Sequence, residues 1–340
     1  MASSLFLLSL AAAVPAALLS GVLTWAIRPL MMRIALAKPN ARSSHRIPTP
    51  QGAGIAVIAA TLAAATAVIV LAGGAETKIP TAVFVATLFI AAVGFVDDVR
   101  ALPVIPRLLL QGAAVAAVII AAPESLRLAP ACPLWLERGF LIFAGLWFVN
   151  LVNFMDGLDL MTVAEIVPVT GALVLLGWLA EFPPAAMVTA AALFGAMLGF
   201  APFNRPVAKI FLGDVGSLPI GLLAGWCLLQ LAWQQQMAAA LLLPLYYLAD
   251  ATVTLVRRMA RREPFWAAHR SHFYQRATDN GFSVSRVVGE VFALNVLLAA
   301  LAIASAKTSS TAIIMLLLIV GGIATALLMR RFSRRLPSSG

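Results

Sequence analysis

Four short stretches hold five of the seven aspartates and two of the three histidines in this chain. Asp97 and Asp98 stand side by side in GFVDDVR. Adjacent carboxylates repel, and at the C-terminal end of a helix they also face the negative end of the macrodipole. Arg100, Arg107, a metal ion or a combination must offset them, unless the pair merely marks a solvated helix end. In NLVNFMDGLD, Asn150, Asn153 and Asp156 are spaced i, i+3, i+6, which makes one polar stripe on an otherwise apolar helix. Two amides and a carboxylate suit a hard cation or a phosphate-sugar ligand, although amides also bond between membrane helices. Gly157 lets the chain turn before Asp159. In FLGDVGS, Asp214 can cap the helix that follows, bind a metal beside a phosphate-friendly helix N-terminus, or do both.

HRSHFYQR places His269 and His272 three apart, with Arg270 and Arg276 beside them. That set suits a diphosphate. Zinc would want further ligands close by, and a plain basic loop would attract anionic lipid. A fifth stretch, PNARSSHRIPTPQGAG over residues 39–54, offers Arg42, His45 and Arg46 as donors in a loop shaped by proline and glycine. Asp250 lies inside an apolar stretch, two turns before Arg257 and Arg258, and reads as a structural contact between helices near the site.

The elements that must position these groups are membrane helices. The chain has 340 residues, 62% hydrophobic and 11% charged, against about half and a quarter in soluble domains. That excludes a soluble enzyme and a disordered chain. Eleven apolar stretches are long enough to cross a bilayer: 4–27, 52–72, 79–96, 105–122, 138–155, 160–180, 184–203, 216–233, 236–257, 286–305 and 311–329. Several contain proline, such as Pro168 and Pro244, which lipid spans tolerate when neighbours satisfy the freed carbonyl. The fold class is an all-α polytopic bundle, one catalytic domain over residues 1–340.

Twenty of the 24 Lys and Arg residues fall in connections on the side that follows the first span, and four on the other. The positive-inside rule makes the rich side cytoplasmic, with the N-terminus outside and the C-terminus inside. The net charge of +10 thus sets topology and does not call for nucleic acid. The first basic residue is Arg28, so the opening segment reads as a retained helix and not a signal peptide. Cys132 and Cys227 have no metal-ligand spacing, and Cys227 lies in an apolar span, which argues against a disulfide. All four motif stretches gather on the cytoplasmic side, near 97–107, 150–160, 204–217 and 257–286, with the loop at 39–54. A transporter would line a path through the midplane, which of the aspartates only Asp250 approaches. A phosphatidyltransferase of the CDP-alcohol type would carry a spaced aspartate motif within one segment, and a scaffold would need no such motifs.

GFVDDVR, NLVNFMDGLD, FLGDVGS and HRSHFYQR, in this order, resemble the polyprenyl-phosphate N-acetylhexosamine-1-phosphate transferases, a superfamily of the glycosyltransferase family 4 type. It includes the translocase that starts the peptidoglycan lipid intermediate and the enzymes that start O-antigen and enterobacterial common antigen chains. The resemblance runs from about Pro39 to Arg276. It implies a magnesium-dependent reaction at the bacterial inner membrane, in which undecaprenyl phosphate attacks the β-phosphate of a UDP-N-acetyl sugar and releases UMP. By resemblance Asp214 and Asn153 bind the metal. Asp97, Asp98 and Asp156 are the catalytic candidates. Asn150, Asp159, His269, Arg270 and His272 face the nucleotide sugar, with Arg42 and His45 in support. Membrane lipid surrounds the chain, and a homodimer is compatible with this reading. DDVRALP lacks a further Asp or Lys, HRSH lacks consecutive histidines, and DGLD runs into Leu160-Met161. These departures point to the O-antigen-initiating branch.

Overall fold

The computed structural model describes residues 2–37, 48–73, 80–179, 182–263 and 269–336. Arg42 and His45 lie outside the described residues. The long helices are α1 (Ala2–Ile34), α2 (Gly54–Ala72), α3 (Thr81–Val99), α4 (Val104–Ile120), α5 (Leu134–Met155), α6 (Met161–Trp178), α7 (Pro184–Phe200) and α8 (Asp214–Trp233). Then come α9 (Met237–Leu242), α10 (Leu245–Ala260), α11 (Phe273–Asp279), α12 (Val284–Ala306) and α13 (Thr311–Phe332). The sheet among the described residues is one two-residue pair, β1 (Leu36–Ala37) with β2 (Thr49–Pro50), antiparallel, with Leu36 opposite Pro50.

Each of the eleven apolar stretches is helical, but nine described helices meet the length and apolarity of a membrane span. Helix α4 is apolar and has 17 residues. The stretch at 236–257 is divided at Leu243-Pro244 into α9 and α10. Pro244 has no N–H to continue the ladder, and Asp250, Arg257 and Arg258 make α10 polar on one face. Pro168 behaves differently, and α6 runs through it. The carbonyl that Pro168 cannot bond, at Ala164, accepts instead from the Asn295 Nδ2 of α12 at 2.9 Å.

Small residues set the helix spacing. A Cβ on Gly195 would lie 1.9 Å from the Ala13 carbonyl oxygen, and one on Gly199 would lie 2.1 Å from that of Ala17, so α1 and α7 touch backbone to backbone. Gly54 meets Gly216 and Gly94 meets the Asp214 carbonyl in the same way, drawing α2 and α3 onto the start of α8. Helix α8 is among the most buried of the long helices and α13 the least, so the start of α8 sits at the centre of the bundle's end. The apolar core is continuous from Ala12 to Phe332.

The loop before α2 is stitched to the loop before α8. Phe211 donates to the Pro50 carbonyl at 2.8 Å, and Gly52, Ala53 and Gly54 donate back to Phe211 and Leu212. At the other edge Asn280 donates to the Phe332 carbonyl, and Leu336 donates to that of Asn280. The ends of α1, α3, α5 and α13 and the starts of α2, α4 and α8 therefore share one end of the bundle.

Candidate active site

The two aspartates at the end of α3 do different things. Asp98 points its carboxylate at the first turn of α8 and accepts from the backbone N–H groups of Asp214 at 2.9 Å and Val215 at 3.0 Å. A helix start offers unpaired N–H groups and the positive end of the dipole, and these answer the repulsion expected at the end of α3. The contact needs Gly213, whose φ is +77° and whose Cβ would lie 2.5 Å from Asp98 Oδ2. Asp97 turns the other way. It accepts from Arg107 Nη1 and from the Leu102 N–H, both at 2.6 Å. Arg107 also stands 3.8 Å from Asp214 Oδ2. The cation offsetting the pair is thus Arg107, while Arg100 is exposed.

Helix α5 completes the cluster. Asn153 Nδ2 donates to Asp214 Oδ1 at 2.7 Å and to Ser217 Oγ at 2.9 Å. Gln51 donates to the Asp98 carbonyl at 2.9 Å. Asn150, one turn deeper, is not brought in. Its amide donates to Gln111 of α4 and to the Leu146 carbonyl, both at 2.8 Å, so here the alternative of bonding between helices is what is seen.

Beyond α5 the chain turns sharply. Asp156 accepts from the Thr162 hydroxyl, and Leu160 has a φ of 63°. Burial, with the nearby charges of Asp98 and Asp159, pushes the Asp156 carboxyl up to about 7. Asp159 accepts from the Ala208 N–H at 3.1 Å, and Asn204 accepts from Leu160 and donates to Ile210. The turn is thereby tied to the loop leading into Asp214.

The histidine loop is held by Asp250. This fully buried carboxylate accepts from the N–H groups of Phe273 at 3.0 Å and Tyr274 at 3.1 Å, so it caps α11. It also lies 3.1 Å from His272 Nδ1 and accepts from the hydroxyls of Tyr246 and Thr254. His272 is buried and stacked between His269 and Tyr274. The Tyr274 hydroxyl donates to the Phe154 carbonyl at 2.9 Å and leaves no room for a Cβ on Gly157. Phe154 and His272 have ring centroids 6.4 Å apart, so the histidine loop sits against the end of α5. Burial, His272 and Arg258 lower His269 to about 4, so it is neutral at pH 7. Arg270 bonds Thr278 and Asp279 at the exposed side of the loop.

The sequence profile of glycosyl transferase family 4 matches residues 80–232, the part that carries Asp97, Asp98, Arg107, Asn153, Asp156, Asp159 and Asp214. The chain is 26% identical over 305 residues to a probable undecaprenyl-phosphate N-acetylglucosaminyl 1-phosphate transferase of Bacillus subtilis, covering 80% of each. It is 29% identical over 314 residues to a decaprenyl-phosphate N-acetylglucosaminephosphotransferase of Mycobacterium tuberculosis, covering 80% of this chain and 76% of the relative. The likeness to glycosyl transferase family 4 thus covers the carboxylate cluster. Similarity to a phospho-N-acetylmuramoyl-pentapeptide-transferase of Limosilactobacillus fermentum is confined to 87 residues, at 39% identity.

Among the described residues, no group of three or more His, Cys, Asp or Glu side chains is set to hold a metal alone. Magnesium asks for less, since it takes one or two carboxylates and keeps waters or substrate phosphates. Asp214 and Asp97 flank Arg107, and Asn153 adds an oxygen if its amide, whose nitrogen faces Asp214, is turned over. That donor set fits a hard cation.

Two residues of consequence have no motif signal. Asp250 was legible only as a helix contact, and its tie to the histidine loop spans 22 residues. Glu165, inside α6, is a second buried carboxylate at span depth. Asn295 donates to it at 2.6 Å. Only a helix neighbour 130 residues away explains it.

Proposed function

We propose that this chain moves an N-acetylhexosamine-1-phosphate from a UDP-sugar onto undecaprenyl phosphate, yielding a polyprenyl-diphosphate sugar and UMP. An oxygen of the lipid phosphate bonds to the β-phosphorus, and the bond from that phosphorus to the bridging oxygen of UMP breaks. The carrying observation is the convergence of Asp97, Asp98, Arg107, Asn153 and Asp214 at one end of a membrane bundle, in a chain whose relatives carry names of this activity. One reactant is a lipid and the other is water-soluble, so the site belongs at the membrane surface. The distribution of Lys and Arg makes that surface the cytoplasmic one, in the bacterial inner membrane.

Phosphoryl-type transfer depends chiefly on positioning and charge neutralisation. Asp98 fixes the first turn of α8 and thereby the place of Asp214. Asp97 orients Arg107 toward the phosphates. Asp214, with Asn153, would hold magnesium, which neutralises phosphate charge when bound. Arg270, His269 and His272 meet the nucleotide-sugar diphosphate, with Asp156 and Asp159 on the sugar side. The product would start O-antigen or another cell-envelope glycan. A transporter is not favoured, because the motif carboxylates gather at one end of the bundle and Asp250 is taken up by the histidine loop.

The test is a transfer assay on purified protein with undecaprenyl phosphate, magnesium and labelled UDP-linked GlcNAc, GalNAc, N-acetylfucosamine and N-acetylquinovosamine. Lipid-linked label with stoichiometric UMP is expected from at least one donor. No lipid-linked label from any of them would overturn the reading.

A further inference from the structure

A groove of about 450 Å³ runs between α10 and α13, away from the carboxylate cluster. Its walls are apolar, with Leu245, Ala249 and Val253 on one side and Ala326 and Met329 on the other. Arg257 and Arg330 stand at its motif-side mouth, both exposed. Within the groove lies Thr325, 2% exposed, whose hydroxyl has no hydrogen-bond partner among the described residues. A buried hydroxyl without a partner is uncommon. Thr325 is five residues before Arg330 on α13, hence about 7.5 Å deeper. Arg330 also lines a second concavity, with Arg331, Arg334 and Arg335. Arg331 is paired with Glu290 there.

We propose that this groove binds one anionic glycerophospholipid, with its phosphate on Arg257 and Arg330, an ester oxygen on Thr325 and an acyl chain along the apolar walls. Charge complementarity selects the occupant. Two arginines at the membrane surface favour a net-negative headgroup, the apolar walls require a chain, and the unpaired hydroxyl sits at the depth where ester oxygens lie below a phosphate. Arg257 also stacks on Phe273, 4.7 Å from its ring centroid, and Phe273 follows His272. The bound lipid therefore abuts the anchor of the histidine loop. The binding claim stands whether or not the transferase reading does.

The experiment is intact-protein mass spectrometry of the full chain released from nanodiscs containing equal phosphatidylglycerol and phosphatidylcholine. Wild type is expected to retain one phosphatidylglycerol at least fivefold over phosphatidylcholine. Arg257→Ala with Arg330→Ala should abolish the preference. Gly322→Leu should also reduce retention at least fivefold, because Gly322 lines the groove and a Cβ there meets nothing within 4 Å. Arg261→Ala with Arg262→Ala, outside the groove, should leave retention unchanged. Equal retention of both lipids by wild type would overturn the proposal. So would unchanged retention in the Gly322→Leu protein, or displacement of the lipid by millimolar glycerol phosphate, since surface charge alone would then suffice.

Discussion

Asp98 and Asp214 are neighbours across two helices, yet their substitution should leave opposite signatures. Asp98 accepts two backbone N–H groups at the start of α8, each a charge-assisted bond of about 1.5–3 kcal/mol. In Asp98→Asn one oxygen becomes an N–H₂ group facing an N–H donor. One bond is lost, the other weakens to a neutral one, and the net cost is about 2–4 kcal/mol. The apparent melting temperature in detergent should fall by about 3–6 °C. The first turn of α8 loosens with Asp214 on it, and a misplacement near 1 Å at a transfer centre costs about 10²-fold in rate. Asp214→Asn removes one of three clustered carboxylates and breaks no backbone bond, so stability should hold or rise. Its turnover should fall at least 10²–10³-fold if Asp214 carries the metal. Thermal unfolding and kcat measured on both variants decide the matter. An Asp98→Asn protein as stable as wild type would show that Asp98 does not organise α8, and an Asp214→Asn protein with half of wild-type turnover would remove its metal role.

Asp250→Asn should uncouple the histidine loop, raising KM for the UDP-sugar at least tenfold with kcat reduced less. An unchanged KM would place His272 outside the donor site. Raised to about 7, the Asp156 carboxyl stays protonated in the folded protein at pH values where the unfolded chain has already lost that proton. Its contribution to stability should therefore decline as pH rises from about 4 to about 7 and flatten above. Asp156→Asn should remove that slope, which a pH series of melting curves would show. Gly157→Ala should impair activity because its Cβ would lie 2.2 Å from the Tyr274 hydroxyl oxygen. Tyr274→Phe in the same chain should recover part of the loss, and no recovery would place the damage elsewhere. Cysteines at positions 43 and 271 should resist an impermeant thiol reagent outside intact cells, while one at 126 reacts. External labelling at 271 would invert the topology.

The membrane bundle was legible without coordinates because apolar runs and the uneven distribution of Lys and Arg are local properties, set by the cost of burying charge in lipid. The motifs were legible because their chemistry is written in short windows, and GFVDDVR, NLVNFMDGLD and FLGDVGS do meet at one end of the bundle. What each residue does there was not legible. Asp97 and Asp98 are adjacent in the chain, yet one meets Arg107 and the other the start of α8, 116 residues away. Asn150 and Asn153 share a stripe, but the neighbour above one is Gln111 and above the other Asp214. Pro168 and Pro244 look alike in apolar runs. Asn295 lets the helix run through the first, and α9 and α10 part at the second. For Asp98, Asn150, Asn153 and Pro168 the deciding partner arrives from another helix, and at the start of α8 close packing through Gly54, Gly94, Gly213 and Gly216 brings it within reach of a hydrogen bond.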